Sequence, residues 1–180
     1  VRYADDLLIF TSSQKSAERV YKGMTMYIRE RMRLKVNGTK SGIRKPNEVN
    51  FLGHGFLGGG KLRLSQPSEA KFKEKLKEKT KRNRGVSLEQ VIKEVNEVLR
   101  GWLNYFKGAK MKSKLENINS WLKRRLRCYR HKQCKRVIGI VRFLRKQKVV
   151  EKLCWKTALS GKSWWRLANS PGASIGMSNI

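Results

Sequence analysis

The sequence has few acidic residues and no long apolar run. Only 13 of its 180 residues are Asp or Glu, against 43 Lys or Arg, so the formal net charge is +30. Ordinary surfaces mix both signs, and this excess favours a polyanionic partner, nucleic acid first and an anionic membrane surface second. No stretch of about 18 apolar residues exists, which excludes a helix that spans a bilayer. We therefore expect nucleic acid as the partner and no membrane.

The three cysteines are also few, and their spacing forms no paired pattern. This indicates reduced thiols in a cytoplasmic compartment, bacterial by preference, with an organelle as the alternative. Cys128, His131 and Cys134 have a spacing that suggests zinc ligands. On one helix, however, steps of three and six residues rotate the side chains by about 300° and 600°, so they do not converge on one ion. We expect the cysteines to be small buried hydrophobic residues.

The chain does not begin with Met, and its first residue looks like part of a strand. These two features predict a segment of a longer protein. There is also no charged and apolar leader with a cleavage site. Residues 1–60 carry 11 basic and 5 acidic side chains, whereas residues 61–180 carry 32 and 8. Strand patterns fade after residue 65 and helical patterns follow. The sequence thus predicts an α+β protein with domains at 1–64 and 65–180.

In the first domain, residues 1–3 and 7–10 are apolar runs on either side of Asp5 and Asp6. They predict a β-hairpin with buried arms and the two acids at its exposed tip. Ser12 or Ser13 is placed to cap a helix that runs to about Arg31, because apolar residues recur there at helical spacing. Further strands are predicted at 34–36, 50–56 and 61–64, the last two joined as a hairpin.

In the second domain, residues 67–81 predict a lysine-rich helix with only Phe72 and Leu76 as an apolar stripe. Ser87 and Gln90 have the spacing of a capping box at the start of a longer helix. Within that helix Trp102 and Phe106 lie four residues apart on the apolar face, where they should pack. Two more helices are predicted over 118–129 and 137–144.

Asp5 and Asp6 are adjacent carboxylates in an otherwise apolar stretch. An ordinary polar turn is one reading. Carboxylate oxygens also suit Mg²⁺, and paired ions about 3.5–4 Å apart activate a hydroxyl and stabilise a leaving pyrophosphate. Such a site usually needs a third carboxylate from another strand, and none is obvious in this sequence.

The stretch Tyr3-Ala4-Asp5-Asp6, with its apolar flanks, closely resembles the YxDD motif of reverse transcriptases. Lys40-Ser41 and Phe51-Leu52-Gly53 occupy the places of the lysine-bearing and FLG segments that follow in that family. The resemblance implies that residues 1–64 are the last part of the polymerase palm. It makes Asp5 the principal metal ligand and Asp6 its catalytic neighbour. It also places in the primer and template region Tyr3, Ala4, Lys40, Phe51, Leu52 and Gly53.

The second domain has a more specific resemblance, carried by four segments: LRGWLNYF (99–106), WLKRRLR (121–127), KQCKR (132–136) and GKSWWR (161–166). In this order they resemble the helical thumb, or maturase (X) domain, of group II intron-encoded proteins. The resemblance implies an RNA-directed DNA polymerase and RNA-splicing maturase that binds intron RNA, an RNA template with a DNA primer, and dNTPs. It implies two Mg²⁺ ions in the intact enzyme and leaves a homodimer open.

Basic residues crowd the predicted helix 118–129 and its exit, with apolar residues recurring among them. One face can therefore pack while the other meets RNA phosphates. With Arg100 and Tyr105 of the preceding helix, the predicted RNA-binding residues are Lys123, Arg124, Arg125, Arg127, Arg130, Lys132, Lys135 and Arg136.

For this segment alone the expectation is RNA binding without polymerase activity, because the fingers and the early palm would precede residue 1. Two alternatives stay open. One is a splicing factor that has kept the fold but does not polymerise DNA. The other is a general basic nucleic-acid-binding domain with no preference for intron RNA.

Overall fold

The computed structural model describes residues 1–161 and 163–179, so Lys162 of the GKSWWR segment lies outside it. The chain divides into two compact units, Val1–Ser65 and Gln66–Ile180, called here the hairpin unit and the helical unit. Strands and one helix form the first, and helices dominate the second, so the predicted α+β class is confirmed. The division lies beside the predicted boundary at residue 65. The assignment of the hairpin unit to a polymerase palm stays a prediction.

The hairpin unit begins with two short antiparallel strands, in which Arg2 pairs with Leu7 and Tyr3 with Asp6. A long helix follows, and a second antiparallel group ends the unit. The bounds are β1 Arg2–Tyr3, β2 Asp6–Leu7, α1 Gln14–Glu30, β3 Asn50–Phe51, β4 His54–Phe56 and β5 Leu62–Leu64. Short 3₁₀ turns lie at Pro46–Glu48 and Gly58–Gly60.

The first hairpin is present, but the prediction that its arms are buried is wrong. Both strands are exposed, and Val1 and Tyr3 keep 73% and 62% of their surface accessible. Helix α1 begins as predicted, because the Ser13 hydroxyl accepts a hydrogen bond from the Ser16 amide at 3.2 Å. None of its residues is buried. The hairpin unit therefore carries the exposed apolar surface expected of a small β-rich unit.

Two strand predictions in this unit need correction. Residues 34–36 form no strand, since Arg33 takes a φ of 55° and the Leu34 amide donates to the Ile28 carbonyl, which closes α1. Residues 50–56 form two strands rather than one. Leu52 and Gly53, with φ values of 50° and 78°, make a two-residue turn between β3 and β4. Positive φ at both central residues is typical of tight hairpin turns.

The helical unit contains seven helices among the described residues, more than the four predicted from the sequence. The bounds are α2 Gln66–Lys79, α3 Leu88–Phe106, α4 Lys112–Gln133, α5 Val137–Lys146, α6 Glu151–Ala158, α7 Trp164–Leu167 and α8 Pro171–Gly176, with a two-residue strand, β6, at Ala109–Lys110. Helix α3 begins where predicted, because Ser87 accepts a hydrogen bond from the Gln90 amide. Ser163 and Ser170 cap α7 and α8 in the same way.

Helices α2, α3 and α4 enclose the larger core. Phe72 of α2 stacks on Trp102 of α3, with ring centroids 4.0 Å apart, and Trp102 contacts Phe106 at 4.9 Å. The predicted packing role of these two α3 aromatics is therefore confirmed. The Tyr129 hydroxyl of α4 donates to the Val86 carbonyl at 2.7 Å, which satisfies the polar end of a buried ring. The buried residues are Phe72, Leu76, Val91, Val95, Ile118, Leu122, Leu126 and Tyr129.

A smaller core joins α5, α6 and α7. Ile140, Val141 and Leu144 of α5 pack there with Cys154 and Leu167. All three cysteines are free thiols; Cys128 and Cys154 are buried as predicted, and Cys134 is half-buried. Burial raises the pKa of each thiol, which suits cysteines that act as small apolar residues.

Candidate nucleic-acid interface

The predicted basic residues of α4 divide into those that hold the helical unit together and those that face solvent. Arg124 belongs to the first group. Its Nε and Nη2 donate to the Trp165 carbonyl at 2.9 and 2.7 Å, and its guanidinium lies 4.1 Å from the centre of the Trp165 ring. This one side chain therefore fixes both the backbone and the ring of α7 against α4.

Arg125 and Arg127 also make contacts within the unit. Arg125 donates to the Thr80 hydroxyl at 2.6 Å and to the Lys77 carbonyl at 3.2 Å, so it binds the last turn of α2. Burial lowers the pKa of its guanidinium. Arg127 donates to the Ser174 hydroxyl of α8 at 3.0 Å, and burial lowers its pKa as well. Arg125 therefore uses most of its hydrogen-bonding capacity inside the protein, whereas the buried Nε of Arg127 has no hydrogen-bond partner among the described residues.

Arg130 has an intermediate position. Its guanidinium lies 4.6 Å from the centre of the Phe143 ring and donates weakly to Gln133 at 3.4 Å. Lys132, Lys135 and Arg136 at the end of α4 are exposed, and Lys123 is half-exposed. These latter four cations are free to meet phosphates.

Arg100 and Tyr105 lie on α3, away from its buried stripe. Arg100 is exposed, and Tyr105 keeps 56% of its surface accessible. The Tyr105 ring meets the Phe106 ring edge-on, with ring centroids 4.7 Å apart. Both side chains are accessible to a partner, and their contact with RNA stays a prediction.

The acidic residues of the helical unit reduce its positive charge at a few places only. Glu94 accepts from Arg84 with both oxygens at 2.8 Å and lies 3.0 Å from Lys79. Hydrogen bonds from Arg84, Lys79 and Gln90 lower the pKa of Glu94 to about 2. Glu69 pairs with Lys73 and Lys114, and Glu151 pairs with Arg145. The cations at the end of α4 are not among these pairs.

The acidic pair lies at the tip of the first hairpin. Ala4 and Asp5 form the turn, and Asp6 is opposite Tyr3 in the register. Ala4 has a φ of 48°, a conformation that costs an alanine energy and that tight turns demand. Both carboxylates are exposed, and their oxygens suit Mg²⁺. Within residues 1–161 and 163–179, however, no group of three or more His, Cys, Asp or Glu side chains could hold a metal ion.

The other residues predicted for the primer and template region lie in separate elements. Lys40 ends a turn that Asn37 organises, since the Asn37 side-chain oxygen accepts from the Thr39 and Lys40 amides. Phe51 is in β3, and Leu52 and Gly53 form the next turn. Each of these residues therefore has a defined position in the hairpin unit. Their common role in binding primer and template stays a prediction.

Comparison with known protein families gives a match that lies within the helical unit. Residues 70–150 match the family model described as the group II intron, maturase-specific domain. This match supports a group II intron maturase-specific domain within residues 70–150. No curated protein matches the chain.

The maturase domain, in the matched range, runs from α2 to the loop after α5 and includes the whole larger core. It contains every residue predicted to bind RNA. The domain supports a maturase role in splicing, as the resemblance implied. No helix in the described part of the chain is long and apolar enough to cross a membrane.

Proposed function

We propose that the maturase domain binds group II intron RNA directly and stabilises the folded RNA during splicing. The match to the maturase-specific family carries this proposal. The exposed cations at the end of α4 support it, because a structured RNA is held largely through its phosphates and its shape. The fixed arginines Arg124 and Arg125 keep α4 in place under that surface.

Replacing Lys132, Lys135 and Arg136 together by Gln should weaken binding to a group II intron RNA at least tenfold at physiological salt. Each lost phosphate contact lowers the slope of log affinity against log salt by about 0.7–0.9, so the triple variant should lose a slope of about 2. Filter binding over a series of salt concentrations measures both quantities.

The matched control replaces Lys146, Lys152 and Lys156, which are equally exposed on α5 and α6. Its affinity should stay within about threefold of the wild type. An unrelated RNA of equal length should compete poorly with the intron RNA. Equal competition by both RNAs would contradict intron recognition and favour a general basic nucleic-acid-binding domain.

We further propose that the first hairpin belongs to a reverse-transcriptase palm, with Asp5 and Asp6 as two of the carboxylate ligands of Mg²⁺. The adjacent acids and the positive φ of Ala4 support this reading, since strained turns cluster at functional sites. Bound Mg²⁺ would serve RNA-directed DNA synthesis from dNTPs on a primer. The described residues bring no third carboxylate to this pair.

This chain by itself should not extend a DNA primer on an RNA template when Mg²⁺ and dNTPs are supplied, because a two-carboxylate site binds the metal ions incompletely. A primer-extension assay on the purified chain measures this. Asp5→Ala should leave the affinity for intron RNA within about twofold. Robust dNTP incorporation by the wild type would contradict the proposed incompleteness of the site.

A further inference from the structure

The helical unit contains a cationic cleft of about 370 Å³ that the basic-helix prediction did not identify. The loop after α2, one face of α4 and the indole of α7 form its walls. Among the residues that line it are Lys81, Arg82, Asn83, Arg125, Lys132 and Trp165. Its volume lies at the small end of the range for ligand pockets, about 300–1,000 Å³. The cleft has room for one nucleotide and is far too small for a duplex.

Three of the cations around the cleft are available to bind an anion. The side chains of Lys81, Arg82 and Lys132 make no hydrogen bond or ion pair with any residue in the described ranges. Among the described residues that line the cleft, none is acidic. Arg82 lies close enough to Arg125 that its charge, second to burial, helps to lower the pKa of that guanidinium. An anion in the cleft would relieve this repulsion between like charges.

Trp165 gives the cleft an aromatic wall of fixed orientation. Arg124 covers the ring at 4.1 Å and binds the carbonyl of the same residue, so the indole is held in two ways. Trp165 nevertheless keeps 39% of its surface accessible. Stacking of a base on an aromatic side chain contributes about 1–3 kcal/mol and does not depend on base identity.

We propose that this cleft captures a single unpaired nucleotide of the bound RNA, with its phosphate against Lys81, Arg82 and Lys132 and its base on Trp165. The inference rests on the proposed binding of intron RNA and adds a specific site to it. Recognition of RNA shape alone needs only an open basic surface. A cleft of this size beside a held indole instead selects a nucleotide that has left the helical stack.

The test uses two RNA duplexes that differ by one bulged nucleotide, with the full chain and filter binding at physiological salt. The wild type should bind the bulged duplex about tenfold more tightly than the fully paired one. Trp165→Leu should abolish that preference and leave the salt dependence unchanged. Lys132→Gln should weaken the binding of the bulged duplex and reduce its salt slope by about 0.7–0.9.

Trp155 and Lys152 on α6 are matched controls outside the cleft. Trp155 is 38% exposed, almost the same as Trp165, and Lys152 is an exposed lysine. Trp155→Leu and Lys152→Gln should keep the preference for the bulge. If Trp165→Leu lowers the melting temperature, Lys132→Gln still tests the site, since Lys132 is exposed and packs in no core.

The outcomes separate this proposal from the proposed function. If the wild type binds intron RNA but does not distinguish the two duplexes, the cleft proposal is overturned while intron binding stands. A preference that survives Trp165→Leu overturns the role of the indole and hence the proposal. If the wild type binds no RNA, both proposals fall together.

Discussion

The helical unit should lose about 3 kcal/mol of its free energy of unfolding between pH 6.5 and pH 4 through one residue, His131. The imidazole is fully buried in α4, and neither ring nitrogen has a hydrogen-bond partner among the described residues. The His131 ring meets the Phe143 ring edge-on, with ring centroids 5.9 Å apart. Burial, followed by the charges of Arg130 and Arg127, lowers the pKa of His131 from 6.5 to about 4.

The direction follows from proton binding in the two states. The unfolded chain takes up the His131 proton near pH 6.5, whereas the folded chain takes it up only near pH 4. Between these values the unfolded state binds more protons, so its free energy falls relative to the folded state as the pH falls. The full stability is present above pH 6.5. The difference between the two pKa values corresponds to the loss of about 3 kcal/mol.

Urea unfolding at a series of pH values measures this loss. The five tryptophans lie at positions 102, 121, 155, 164 and 165, so their fluorescence reports on the helical unit alone. Glu94 should not contribute to the loss of unfolding free energy in the upper part of this pH range. Its hydrogen bonds, that from Arg84 above all, lower its pKa to about 2 and keep it ionised there.

His131→Leu should flatten the profile between pH 6.5 and 4.5, and it should not destabilise the unit at pH 7. An apolar side chain of similar size removes two buried nitrogens that lack partners. The matched control is His54→Gln, which replaces the second of the chain's two histidines and should keep the acid loss. Parallel profiles for the wild type and His131→Leu would show that another group causes the effect.

The long helices could be predicted because their patterns are local. In α3, the Ser87 cap and the apolar residues at helical spacing agree, and the helix begins at Leu88. The short helices α6 and α8 have few residues and weak periodicity. Ser170 followed by Pro171 is nevertheless a typical helix start. The prediction of a single strand over 50–56 is wrong because Leu52 takes a positive φ, which is rare for a branched side chain.

The division of the basic residues could not be predicted, since it depends on contacts far apart in sequence. Arg124 binds a carbonyl 41 residues away, and Arg125 binds a hydroxyl 45 residues away. In the sequence both look identical to Arg136, which is exposed. The cleft was missed for the same reason, because three separate segments bring Arg82, Lys132 and Trp165 to one place.

Leu76→Ala should destabilise the helical unit by about 2–5 kcal/mol, the range for truncating a fully buried leucine. Helix α2 has 14 residues, of which only Phe72 and Leu76 are buried, so two apolar side chains pack it against the larger core. Leu76 has no accessible surface. Thermal unfolding followed by tryptophan fluorescence should show a melting temperature lower by about 10 °C or more.

Leu103→Ala on α3 makes the same chemical change at a side chain that is 37% exposed, and it should cost less than about 1 kcal/mol. Leu76→Ala removes no cation, so below its transition it should bind intron RNA as tightly as Leu103→Ala does. Above the transition its affinity should fall as the helical unit unfolds. Thr80, which follows α2, accepts a hydrogen bond from Arg125 and lies at the start of the loop that lines the cleft. Equal melting temperatures for the two variants would mean that Leu76 does not hold α2 to the core.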